Sequence, residues 1–153
     1  MINRILNIIR TIAISPEALL LALNGFLYVY FPVIYSKVGQ WYLRDANLTT
    51  GVLPITGILI YSAAQAKSIL FPGDTSKKLN GWPDFFKLKD RVIIGLIFSS
   101  TAVLVSFFML VFKDELPATY AGLIFLASLS VATSCLASMF LAQLSIKVLL
   151  DHN

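Results

Sequence analysis

Asp84 and Asp90 flank Lys87 and Lys89 in the stretch PDFFKLKDR, with Arg91 directly after Asp90. Two carboxylates this close could do acid and base chemistry on a lipid headgroup. They could equally cap helices and balance the neighbouring lysines, and nothing else in the chain completes an active site. The one histidine, His152, is next to last, which leaves no histidine-based metal cluster. The glycines are scattered and form no phosphate-binding loop. The one cysteine, Cys135, lies in an apolar block, reads as a small packing residue and has no intrachain disulfide partner. The chain is therefore read as a non-enzyme without metal or cofactor.

Two other patterns carry more. Ser130, Ser134, Ser138 and Ala142 recur every four residues, with Gly122 two steps earlier on the same ridge. Gly95, Ser99, Ala102 and Ser106 follow a matching helical spacing. Small residues so placed let helix backbones approach and hydrogen-bond across the contact. They suit packing within one bundle, a contact between subunits, or a hydroxyl-lined pore, with Thr133 and Gln143 adding polarity nearby. The second pattern is basic and aromatic. Trp82, Phe85, Phe86 and Leu88 alternate with Lys87, Lys89 and Arg91, after Lys77 and Lys78 at the tip of the same polar stretch. Such residues meet anionic lipid at the interface or dock a cytosolic protein.

The elements that must hold these residues are apolar. Of 153 residues, 58% are hydrophobic and 13% charged, against about 25% charged in a soluble domain. The apolar residues come in blocks of about twenty, the length that crosses a bilayer as a helix. The expected fold is an all-α integral membrane protein with four transmembrane helices, at about 17–36, 48–70, 92–112 and 119–146 within a domain 16–147. Residues 71–91 form the loop between the second and third spans, and 148–153 a tail. Residues 1–15 precede the domain as an amphipathic interfacial helix, since Asn3, Arg4, Asn7, Arg10 and Thr11 share one face; a targeting presequence is the alternative. Ser15-Pro16-Glu17 reads as a helix start, with serine as cap, proline at the first position and an acid near the positive dipole end. Pro32 can bend the first span and Pro54 the second.

On this layout no charged side chain lies inside a span, which argues against a proton-coupled carrier, an ion pump or a voltage sensor. Asn24, Gln65 and Gln143 are the only amides within spans. The formal charge of +4 reflects loop residues rather than a nucleic-acid site. Nine basic residues fall on the side of the two termini and three on the other. By the positive-inside rule both termini and residues 67–91 are cytoplasmic, in a bacterial inner membrane. The expected role is a non-enzymatic membrane subunit that self-associates or anchors a partner, in a homo-oligomer or membrane complex. An oligomeric pore and a small carrier for an apolar substrate are the alternatives.

Overall fold

The computed structural model describes residues 15–71, 82 and 84–151, with the side chains of 45–48 and 149–151 left out. The described residues form five helices and no strand: α1 (Pro16–Tyr30), α2 (Pro32–Tyr42), α3 (Asp45–Leu70), α4 (Phe85–Val111) and α5 (Ala118–Asp151). The expected interfacial helix at 1–15 lies outside them, apart from Ser15. So do Lys77 and Lys78. Helices α3, α4 and α5 are each long and apolar enough to cross a membrane.

The first expected span is not one straight helix. Ser15 caps α1, its Oγ accepting the Ala18 N–H at 3.1 Å, with Pro16 at the first helical position. The helix stops at Phe31, whose backbone leaves the helical region at φ −130° and ψ 52°. Proline at position 32 forces this, because its ring disfavours helical geometry in the preceding residue and it has no N–H to donate. Pro32 then opens α2, which leaves at 106° to α1. The 15 residues of α1 span about 22 Å, short of a hydrocarbon core of about 30 Å. The pair makes a fourth crossing only if counted together as one broken span.

Two further boundaries differ from expectation. Helix α4 begins at Phe85, so the last seven residues of the expected 71–91 loop are its first two turns. Phe85, Leu88 and Val92 continue the apolar face at helical spacing, and no breaker follows Pro83. Helix α5 runs through Lys147 to Asp151, absorbing most of the expected tail, since Val148 to Leu150 contain nothing to stop it. Helix α3 continues through Pro54.

Helix α5 is the axis, and the other four pack against it. Helix α1 lies antiparallel to it: Tyr28 stacks near Tyr120 at 6.1 Å, Asn24 meets Ser130, and Glu17 meets Ser134. Helix α2 crosses the first turns of α5 at the Gly39–Gly122 contact. A Cβ on Gly39 would stand 1.7 Å from the Ala118 carbonyl oxygen, and one on Gly122 1.9 Å from that of Tyr35. Helices α3 and α4 close the other sides. Three apolar layers follow α5: Tyr42, Val52, Met109 and Ala121; then Ile55, Val103 and Ala132; then Ala66, Ile69, Val92, Cys135, Met139 and Ala142. The outside is apolar too, with Phe26, Val29, Leu104, Phe108 and Leu141 all exposed. In water such a surface is an association hazard; against lipid tails it is the expected one.

Candidate functional site: a lateral groove and the ion pair at its end

The most polar group of buried residues is one that the hydropathy pattern hides. Glu17, in the first turn of α1, is fully buried. Its carboxylate faces the Arg91 guanidinium in a two-point fork: Arg91 Nη1 lies 2.7 Å from Oε2, and Nη2 donates to Oε1 at 2.8 Å. Nη2–Oε1 is a charge-assisted hydrogen bond, whereas Nη1 and Oε2 face each other as an ion pair without a hydrogen bond. Two serines of α5 complete the cradle. Ser134 Oγ donates to Glu17 Oε1 at 3.3 Å, and Ser138 Oγ accepts from Arg91 Nη2 at 2.9 Å. Gly95 lines the cradle: a Cβ there would stand in ordinary contact, 3.7 Å from Glu17 Oε1 and 3.5 Å from the Cys135 thiol.

The sequence places no charged side chain inside a span; the structure buries the Glu17 carboxylate, at the start of α1, inside the bundle. Glu17 stands in the first turn of α1 and Arg91 in the second turn of α4. Their side chains turn inward because each stands at the edge of an apolar run with an opposite charge across from it. Burying either alone would cost several kcal/mol, which the fork and the two serines offset. The sequence signal that could have found them is the serine ridge itself, since hydroxyls at 134 and 138 need polar partners when buried.

Polar groups in the neighbouring layers are mostly paired within the chain. Asn24 Nδ2 donates to Ser130 Oγ at 3.2 Å and to the Leu20 carbonyl at 2.9 Å. The Tyr35 hydroxyl donates to the Asn24 carbonyl at 3.1 Å. Gln143 hydrogen-bonds Gln65. Ser62 and Ser99 are fully buried with their hydroxyls facing the Cys135 thiol, and the buried Tyr42 hydroxyl has no hydrogen-bond partner among the described residues.

Next to this cradle is a groove of about 380 Å³ between α1, α4 and α5. Its walls are apolar: Leu21 from α1, Ile94, Phe98 and Val105 from α4, Ala127 and Val131 from α5, with Thr101 and Ser128 contributing hydroxyls. Leu21 is one turn past Glu17, Ile94 one turn past Arg91, and Val131 one turn before Ser134. The ion pair thus lies about one helical turn beyond this end of the groove, behind Leu21, Ile94 and Val131, and does not line it. At the other end a second cavity of about 300 Å³ shares Val105 and Ile124 and reaches Phe112 and Glu115. A cleft of this size with apolar walls and a few convergent polar groups is the usual form of a small-molecule site.

The residues singled out in the sequence fall into two sets. Gly122, Ser130, Ser134, Ser138 and Ala142 meet, in turn, α2, Asn24, Glu17, Arg91 and the core beside Ala66 and Ile69. Gly95, Ser99 and Ser106 are buried on α4, Ser106 donating to the Ala102 carbonyl at 2.8 Å. Both ridges are packed inside one chain. The basic and aromatic set is divided. Phe85 is buried, and Arg91 reaches inward to Glu17 while its side chain stays about one-fifth exposed. Trp82 is half-buried, Lys89 lies 4.5 Å above the Phe85 ring, and Lys87 pairs with Asp84 at 2.8 Å on the surface beside exposed Phe86.

Length, composition and packing point to a membrane-embedded, all-helical protein with a lateral groove. Comparison of the chain with protein-family models, with curated proteins and with solved structures gives no match.

Proposed function

We propose that this is a non-enzymatic, multi-pass membrane protein that holds a single apolar chain, of the kind found in lipids, between α1, α4 and α5. The groove carries this reading: it opens sideways, its walls are apolar, and its volume of about 380 Å³ suits one chain rather than a helix. The small-residue ridges, the observation behind self-association or a pore, are packed against the chain's own α1, α2, α3 and α4. The three span amides pair within the chain, so the apolar walls would do most of the recognition.

Saturable binding of a fluorescent single-chain amphiphile to the protein in nanodiscs tests the reading. Ala127→Phe fills the groove and is expected to abolish the saturable component while leaving helicity unchanged. Signal that rises only with membrane area, equally in both proteins, overturns it.

A second reading has its own observation. Phe86 and Lys87 are exposed on the first turn of α4, where a cytosolic partner could dock. On that reading the protein is an anchoring subunit, and Lys87→Ala with Phe86→Ala should release a co-purifying partner without changing insertion. For topology, the charge bias favours both termini in the cytoplasm, in a bacterial inner membrane.

A further inference from the structure

We propose that the ligand of the groove is a long-chain carboxylic acid, and that Glu17 occupies the site of its headgroup when the ligand is absent. The inference rests on the groove being a binding site. It adds the polar end of the ligand and a mechanism of entry.

The cradle lies one helical turn beyond the groove's end residues Leu21, Ile94 and Val131, so displacement of Glu17 would join the two. Arg91 and Ser134 converge on a carboxylate: Nη2 and the Ser134 hydroxyl hydrogen-bond one oxygen, and Nη1 lies 2.7 Å from the other as an ion-pair contact. Ser138 fixes the guanidinium from the other side at 2.9 Å. This is the geometry that recognises a carboxylate, because the planar fork matches its two oxygens. The carboxylate present belongs to the chain itself. One turn beyond it on each of the three walls the groove becomes apolar, through Leu21, Ile94 and Val131. An amphiphile with a small anionic head and one alkyl tail matches both parts. A two-chain phospholipid does not match a cleft of this volume.

Entry requires Glu17 to leave Arg91, and α1 is built to allow that. Glu17 sits in the first turn, and the far end of the helix is the 106° break before Pro32. Between them the polar ties of α1 to α5 are Glu17 to Ser134 and Asn24 to Ser130. A pivot at Phe31 swings Glu17 off the guanidinium, and the incoming carboxylate replaces its charge. The partly exposed arginine is then not left unpaired beside the buried site, which would otherwise be the main obstacle.

The test compares hexadecanoic acid, hexadecanol and a single-chain lysophosphatidylcholine as competitors of the fluorescent amphiphile, on the intact protein in nanodiscs. The acid is expected to bind about tenfold or more tightly than the alcohol, the worth of a charge-assisted hydrogen bond. Glu17→Gln removes the internal competitor and should strengthen acid binding severalfold, leaving the alcohol unchanged. Arg91→Gln alone strands the Glu17 carboxylate, so the Glu17→Gln, Arg91→Gln double variant is the working control, and it should bind acid and alcohol equally. Equal binding of acid and alcohol by the wild-type protein overturns the inference and leaves the groove reading standing. Lysophosphatidylcholine binding more tightly than the acid also overturns the carboxylate assignment. Failure of all three to compete overturns the groove reading as well.

Discussion

A carboxylate taken out of water is stable as an anion only if its oxygens are met by charge and hydrogen bonds. Glu17 draws on residues from two other helices: Oε1 accepts from Arg91 and Ser134, and Oε2 faces the Arg91 charge, 74 positions away in the chain. Removing one partner strands the other, so Glu17→Ala is expected to destabilise the protein by about 3–5 kcal/mol. The double amide variant, Glu17→Gln with Arg91→Gln, should lose much less. Thermal unfolding of the three proteins in one detergent provides the comparison, and additive losses would contradict direct coupling. The sequence displayed the small residues of this site plainly, because their spacing is helical. It did not display the pair, since two charges at the edges of separate apolar runs look like surface residues until the fold brings them together.

At the scale of elements, backbone contact decides where α2 can sit. Gly39 and Gly122 touch the opposite backbone, so Gly39→Ala or Gly122→Ala has no side chain to push aside. Each is expected to cost at least about 1–3 kcal/mol. Gly57 has open space around its Cβ position, and Gly57→Ala should stabilise by about 0.5–1 kcal/mol through helix propensity. Melting temperatures moving in opposite directions for the two classes would bear this out; a shared direction would not. The start of α4 is tested by thiol labelling in the Cys135→Ala background. Cysteine at exposed position 86 should react far faster than at buried position 85, whereas comparable rates would indicate the loop that the sequence suggested. Helices α3, α4 and α5 were legible because long apolar runs leave few alternatives. The break before Pro32 was legible as a bend but not in size, because the angle depends on where α2 finds its seat on α5. The start of α4 was misplaced because charges at Lys87, Lys89 and Arg91 masked an apolar face that continues beneath them.

At the scale of the molecule, an apolar exterior and internally paired polar groups are what a bilayer demands of a helical bundle. The proposed orientation predicts that a reporter active only outside the cytoplasm gives signal when fused after Lys113 and none when fused after Lys78. The reverse pattern would invert the bundle and move the ion pair to the opposite leaflet. Within either orientation the groove keeps its place between α1, α4 and α5, and the account stands or falls on whether anything occupies it. Native mass spectrometry of the protein extracted from membranes addresses this most directly. The wild-type chain is expected to carry one single-chain amphiphile per protein, and Ala127→Phe none. Identical adducts on both proteins, or no adduct on either, would contradict the account.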